Sequence, residues 1–232
     1  MTLGQEEWRS HCLEASSAQN PAYRWALHFF EYALTMNDAL IIQQPASAAQ
    51  QLFMLFYGAD AAPLLLLPLA SRVAIAFPNA LVVVCETPEQ VPEFEQTVRH
   101  WQQISALSAS QTALIGFSQG ANMALAASQS VPVLAGRIVS HSGRFATLPL
   151  HIHTEITLHI IHGKVDAVMP YGECIEAAEH LKALGVDFTA DIIPFVGHEM
   201  TDETMDLMIK NLQTHLPKRL WDAAMQAAAT SA

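Results

Sequence analysis

The residues with the clearest chemical potential form the run GFSQG at 116–120, where Ser118 has a glycine two positions away on each side. A serine hydroxyl is a weak nucleophile unless a base removes its proton and the backbone presents its oxygen to a substrate. A sharp turn from a strand into a helix presents it well, and side chains at the flanking positions would collide with that strand and helix. Ser118 is therefore the candidate nucleophile, and Gly116 and Gly120 are the glycines of its turn.

An acid and a histidine follow this serine in the chain order that such a turn requires, each just after a later β-rich run. Asp166 lies in HGKVD, after ITLHIIH, and His198 lies in VGHEM, after DIIPF. In this arrangement His198 would take the proton from Ser118, and Asp166 would hold the imidazole in the useful tautomer. Taken singly, Asp166 fits a capping aspartate and His198 a histidine at a helix start. Their joint order favours a catalytic triad.

The elements that must position these residues alternate along the chain from about residue 39. The strand candidates are ALIIQ, QLFMLFY, ALVVVC, TALIGF, GRIVSH, ITLHIIH and VDFTADIIPF. The helix candidates are 63–76, 89–106, 119–130, 170–184 and 199–214, with a terminal helix around 216–226 and a frayed alanine-rich end. This alternation predicts an α/β fold with a mostly parallel central sheet of about seven strands flanked by helices.

Length and pattern also predict the domain organisation. A chain of 232 residues is long enough for one large hydrophobic core. Residues 1–35 do not fit the alternation, and we expect them to form a helical N-terminal extension. Residues 36–232 are then expected to form a single α/β domain.

Composition excludes several classes of partner. The chain has eleven Lys and Arg residues and 22 Asp and Glu residues, which gives a formal net charge of -11. Nucleic acid and anionic membranes would therefore be repelled. The most apolar stretch, 61–77, is short and contains prolines and an arginine, which favours a core helix over a membrane span. The scattered cysteines Cys12, Cys85 and Cys174 suggest a reducing compartment, and we expect a cytoplasmic protein.

No cofactor or metal is expected. His151 and His153 form an HxH pair, which is the one arrangement that suggests metal binding. No carboxylate or thiolate stands at ligand spacing beside this pair, so the sequence does not support a metal site.

GFSQG, HGKVD and GH in this order, with HSG after the strand that follows the nucleophile helix, resemble a known family. They are similar to the bacterial carboxylesterase and phospholipase/acyl-protein thioesterase group of α/β-hydrolases, over residues 36–222. The resemblance implies an α/β-hydrolase sheet, hydrolysis of ester or thioester bonds, and an oxyanion hole made by two backbone N–H groups. These groups would belong to Gln119 and Ala59.

Two departures from the family pattern bear on the site. The chain has YGADA at 57–61 where the family usually has HGxGD, which affects the path of the loop that carries Ala59. Only ETPEQ follows the strand ALVVVC, where the family commonly has a long loop with a tryptophan beside the pocket. A shallower and more open acyl pocket is expected, unless the extra N-terminal segment folds over it.

The leading hypothesis is a cofactor-free serine carboxylesterase that cleaves small short-chain esters through an acyl-enzyme intermediate. An acyl thioesterase is the nearest alternative, because the same chemistry accepts a thiolate leaving group. A catalytically weak binding protein that keeps the fold is the alternative from another class. The expected partner is a small-molecule ester or thioester substrate. The sequence does not decide between a monomer and a homodimer.

Overall fold

The computed structural model describes residues 35–36, 39–58 and 63–230. Contacts divide the chain into two units, residues 1–36 and residues 37–232. Of the first unit only the two-residue strand β1 (Thr35–Met36) is described. The helical extension expected at 1–35 therefore lies outside the described residues, apart from Thr35, and stays a prediction.

The second unit contains a seven-stranded, mostly parallel sheet, as the sequence predicts. Its strands are β2 (Ala39–Gln43), β3 (Gln51–Tyr57), β4 (Ala80–Glu86), β5 (Thr112–Phe117), β6 (Arg137–His141), β7 (Thr157–Gly163) and β8 (Asp187–Ile193). They lie in the order β2-β4-β3-β5-β6-β7-β8. Only β2 runs antiparallel to its neighbour, and the other pairs are parallel. Parallel strands end at one edge of the sheet, so the loops after β3, β5, β7 and β8 gather there.

Helices lie between successive strands of the sheet and after β8. The helices between strands are α1 (Leu67–Ala76), α2 (Val91–Ser105), α3 (Gln119–Ala127) and α4 (Tyr171–Ala183), and those after β8 are α5 (Asp202–Thr214) and α6 (Lys218–Thr230). Two 3-10 turns lie at Pro63–Leu65 and Ala109–Gln111. No helix in the described ranges is long and apolar enough to cross a membrane.

Several element ends differ from the sequence-based expectation. Strand β8 stops at Ile193 instead of Phe195, because Pro194 has no N–H and Phe195 has a left-handed backbone with φ of 64°. Helix α5 begins at Asp202 instead of residue 199, because Thr201 caps it. Helix α6 continues to Thr230 instead of fraying after 226, since alanine favours the helix even where little is buried.

The core consists of two layers, one on each face of the sheet. In β3, Leu52, Met54 and Phe56 pack on one face, and Phe53 and Leu55 pack on the other. Burial on both faces explains why this strand reads as a continuous apolar run instead of an alternating one. The loops after β3, β5 and β7 thus follow strands that are almost completely buried, while β8 at the side of the sheet is mostly half-buried.

Candidate active site

Ser118 occupies the sharp turn between β5 and α3. Its backbone has φ of 54° and ψ of -116°, a strained conformation for a residue other than glycine. A Cβ on Gly116 would lie 2.3 Å from the backbone nitrogen of Ala121, and one on Gly120 would lie 2.2 Å from the carbonyl oxygen of Phe56. Only glycine fits at either position, so the turn can hold the serine at the helix N-terminus.

The structure brings Ser118, His198 and Asp166 into one chain of hydrogen bonds. His198 Nε2 lies 3.0 Å from Ser118 Oγ, and His198 Nδ1 lies 2.8 Å from Asp166 Oδ2. Because a carboxylate accepts, the Nδ1–H donates to Asp166, and Nε2 is then left to accept the serine proton. The geometry meets the requirement for an activated serine nucleophile.

The Asp166 carboxylate is fully buried and firmly held. Its Oδ1 accepts hydrogen bonds from the backbone N–H groups of Val168 at 2.9 Å and Met169 at 2.8 Å. Burial raises the pKa of Asp166, but hydrogen bonds from Met169, His198 and Val168 outweigh it and leave the pKa below its usual value. The carboxylate therefore stays ionised at neutral pH and can stabilise a protonated His198.

The loops that carry the acid and the histidine pack backbone to backbone. Lys164 N donates to Ile193 O at 2.9 Å, and Val165 N donates to Val196 O at 3.0 Å. A Cβ on Gly163 would lie 2.3 Å from Val196 O, so this close approach requires glycine. The relative position of Asp166 and His198 is thus set by main-chain contacts.

The region expected to bind an oxyanion is described in part. Gln119 begins α3 directly after Ser118, so its N–H lies at the positive end of the helix dipole. The Gln119 side chain lies against Gly58, where an added Cβ would be 3.1 Å from Oε1. Tyr57 O is anchored by Thr87, which donates its N–H at 2.9 Å and its hydroxyl at 2.6 Å. Ala59 lies outside the described residues, and its role stays a prediction.

Three side chains around the triad were not assigned by the sequence reasoning: Phe117, His141 and His162. The Phe117 ring stacks on His141 with centroids 5.3 Å apart and contacts His198 at 5.1 Å. Burial, together with the charges of His162 and His198, lowers the pKa of His141 from 6.5 to about 3, against an opposing effect of Asp166. HSG and HGKVD mark two of these positions, but the spacing of the motifs does not indicate their contacts.

The HxH pair does not extend into a cluster of ligands. The rings of His151 and His153 contact each other with centroids 5.7 Å apart. Among the residues that the structure describes, no group of three or more His, Cys, Asp or Glu side chains is arranged to hold a metal ion. The expectation of a metal-free site stays a prediction.

Comparison with known proteins agrees with this fold. The profile of the Phospholipase/Carboxylesterase family matches residues 78–216. The chain is 34% identical to esterase YpfH of Escherichia coli (strain K12) over 216 residues, which cover 82% of this chain and 93% of that protein. It is 31% identical over 146 residues to acyl-protein thioesterase 1 homolog 1 of Dictyostelium discoideum, covering 57% and 63%. The crystal structure of a carboxylesterase from Mesorhizobium loti superposes with a TM-score of 0.61 at 16% identity, covering 79% and 98%.

The sheet order and the flanking helices are those of the α/β-hydrolase fold. Within that class the chain belongs to the phospholipase/carboxylesterase family, because the family profile covers more than half of it. It is a hydrolase of the esterase type.

Proposed function

We propose that the protein is a serine carboxylesterase that cleaves small, short-chain carboxylic esters, with Ser118, His198 and Asp166 as its catalytic residues. The observation that carries this proposal is the 3.0 Å contact between His198 Nε2 and Ser118 Oγ, with Asp166 bonded to the other ring nitrogen. A binding protein without activity has no need of this arrangement.

The reaction would proceed in two balanced steps. Ser118 Oγ forms a bond to the ester carbonyl carbon while His198 Nε2 takes its proton, and Asp166 stabilises the imidazolium. The carbonyl oxygen becomes negative and receives hydrogen bonds from the N–H of Gln119 and, as proposed, of Ala59. The bond to the alcohol oxygen then breaks, and His198 returns the proton to that oxygen. In the second step, water gives a proton to His198 Nε2 and forms a bond to the acyl carbon. The bond to Ser118 Oγ then breaks, His198 returns the proton to Oγ, and the acid is released.

The preference for short acyl chains rests on the connection between β4 and α2. Only Thr87 to Gln90 separate Glu86 from Val91. Thr87 is buried and bonded to Tyr57 O, so the start of this segment is bound to the sheet edge instead of reaching over the site. A short, anchored connection supports a shallow acyl pocket.

The test is hydrolysis of p-nitrophenyl esters with acyl chains from two to twelve carbons, beside acyl-CoA thioesters of matched length. We expect ester cleavage to be fastest at two to four carbons and to vanish in the Ser118→Ala variant. A maximum at eight carbons or longer would contradict the short-chain assignment.

A thioesterase is the second candidate, favoured by the similarity to the acyl-protein thioesterase homologue of Dictyostelium discoideum. It would be indicated by kcat/KM values for thioesters that exceed those of the matched esters. If the folded, pure protein cleaves neither esters nor thioesters, the binding-protein alternative is favoured. The cause would then be sought in the YGADA loop, which carries the proposed oxyanion-hole residue Ala59.

The protein is further proposed to be cytoplasmic and to bind neither nucleic acid nor membranes. The net charge of -11 supports the expected lack of binding to nucleic acid and to anionic membranes. Cys85 and Cys174 are free cysteines. Burial raises the pKa of the Cys85 thiol to about 12, and burial together with the charge of Asp191 raises the pKa of the Cys174 thiol to about 11. They are inert thiols that suit a reducing compartment. Light scattering would decide between a monomer and a homodimer. Removal of residues 1–35 would test whether residues 36–232 fold as a single domain, as proposed.

A further inference from the structure

A second histidine lies directly behind the acid of the triad. His162 is the next-to-last residue of β7, and its side chain is only 1% exposed. Its Nε2 donates to the carbonyl oxygen of Met169 at 2.7 Å, so this nitrogen carries a proton. The same Nε2 lies 3.5 Å from Asp166 Oδ2. That distance is too long for a good hydrogen bond of its own, yet it places a positive N–H beside the carboxylate.

Met169 is held from both sides by this arrangement. Its N–H donates to Asp166 Oδ1 at 2.8 Å, while its carbonyl accepts from His162. Within the same loop, Asp166 N donates to Gly163 O at 3.3 Å. His162 therefore closes the base of the loop that carries the acid, because residues 162 and 169 are its two ends.

We propose that His162 is a positioning residue that fixes the Asp166 carboxylate against His198. This inference rests on the proposed function. His162 acts through Met169 and Asp166, and it is bonded to neither Ser118 nor His198. Without the Nε2–H of His162, the carbonyl of Met169 loses its hydrogen-bond partner and the loop can move. This movement weakens the backbone N–H bonds to Asp166 and the hydrogen bond between Asp166 and the His198 imidazole.

Ionisable groups beside His198 in the described part of the chain include Asp166, which is bonded to it, and the buried ring of His141. The Nε2–H of His162 places the positive end of its dipole beside the Asp166 carboxylate. Replacing His162 by an apolar residue removes this N–H and loosens Asp166, so the imidazolium that forms on His198 during catalysis loses stabilisation.

Three variants at this position separate positioning from mere core packing. His162→Leu removes the donor and keeps an apolar side chain of moderate size. His162→Asn keeps a polar group that ends short of the Nε2 position. His162→Gln places an amide N–H near that position and should restore much of the function.

His159→Leu is the matched control. His159 is also a fully buried histidine on β7, but its nitrogens lie 3.3 Å from Arg137 and 3.0 Å from Thr189, away from the triad. Its loss should affect stability without affecting the chemistry.

The first readout is the pair of constants kcat and KM with a short-chain ester. We expect His162→Leu and His162→Asn to lower kcat on the order of 10- to 100-fold with little change in KM. His162→Gln should recover most of the rate, and His159→Leu should match the parent. Equal losses in His162→Gln and His162→Leu, or a rise in KM alone, would overturn the inference.

The second readout does not require activity. In an NMR spectrum, the Nδ1–H signal of His198 reports its hydrogen bond to Asp166. This signal should shift or broaden in folded His162→Leu or His162→Asn and should stay unchanged in His159→Leu. The same Nδ1–H signal in all folded variants overturns the positioning role. If the parent cleaves no ester but the signal changes in the His162 variants, the positioning role holds and the proposed function fails.

Discussion

At the scale of single residues, Gly120 sets how closely the helix after Ser118 approaches β3. We expect Gly120→Ala to lower the free energy of unfolding by about 1–3 kcal/mol, because its Cβ would lie 2.2 Å from Phe56 O. The displaced turn should also abolish esterase activity. Urea unfolding and initial rates measure both effects.

Gly172→Ala is the control for this substitution. A Cβ at Gly172, in the first turn of α4, meets nothing within 4 Å, so this variant should keep its activity and its stability or gain slightly. Equal effects of the two substitutions would contradict the tight approach at Gly120.

Replacing Asp166 by asparagine tests the role of the acid while the size of the side chain is kept. Asp166→Asn keeps the shape of the side chain but favours the wrong imidazole tautomer, and we expect kcat to fall by roughly 10⁴-fold. Asp187→Asn is the comparison, since Asp187 is bonded to Thr157 and His215 outside the triad. That variant should lose stability and keep its kcat. A kcat for Asp166→Asn within tenfold of the parent would contradict the assigned role.

How far the site is predictable differs from residue to residue. Ser118, Asp166 and His198 could be selected because the chain order of a nucleophile turn, an acid and a histidine restricts the choice. His162 and His141 could not be assigned roles, because their contacts depend on loop paths and on which face of a strand each ring occupies. The spacing of four residues between a histidine and an aspartate is the same whether or not the histidine bonds to the far end of the loop that carries the aspartate.

At the scale of elements, the start of α5 bounds the segment that carries His198. The Thr201 side chain accepts from Thr204 N, and the Thr204 side chain accepts from Thr201 N in return. We expect Thr201→Ala to lower the free energy of unfolding by about 1 kcal/mol, measured by urea denaturation. Thr201→Ser keeps the hydroxyl and should cost a few tenths. No difference between Ala and Ser would show that this cap is not stabilising.

The elements themselves were predictable in type and order, and less so at their ends. Strands β3, β4 and β5 are buried on two faces and read as nearly unbroken apolar runs, a strong signal for a parallel sheet. The end of β8 depends on the left-handed backbone of Phe195, a conformation that the residue type does not suggest. The start of α5 depends on one reciprocal pair of threonines, which a periodic pattern of apolar residues does not resolve.

At the scale of the whole molecule, two buried histidines should make folding sensitive to mild acid. Burial and the charges of Arg137 and His215 lower the pKa of His159 from 6.5 to about 3, against an opposing effect of Asp187. His141 has a similar pKa for the causes given above. Between pH 6.5 and 3 the unfolded chain binds protons that the folded protein does not, so stability falls as pH falls through this window.

We expect each of these histidines to cost on the order of 2 kcal/mol of unfolding free energy between pH 7 and pH 5. Asp166 and Asp187, whose pKa values are lowered in the fold, add a loss only below about pH 4. Urea unfolding at pH 7 and pH 5 measures the effect, and His159→Leu should reduce the difference by about half. Equal stability at the two pH values would contradict the burial of neutral rings.

The central claim is that Ser118 is an activated nucleophile, and labelling with a fluorophosphonate probe tests it most directly. The parent protein should form one adduct, located on Ser118 by peptide mass spectrometry, and Ser118→Ala should form none. His198→Ala should fold and stay unlabelled, because the base is missing. A folded parent protein without an adduct, or with an adduct on another serine, would contradict the account.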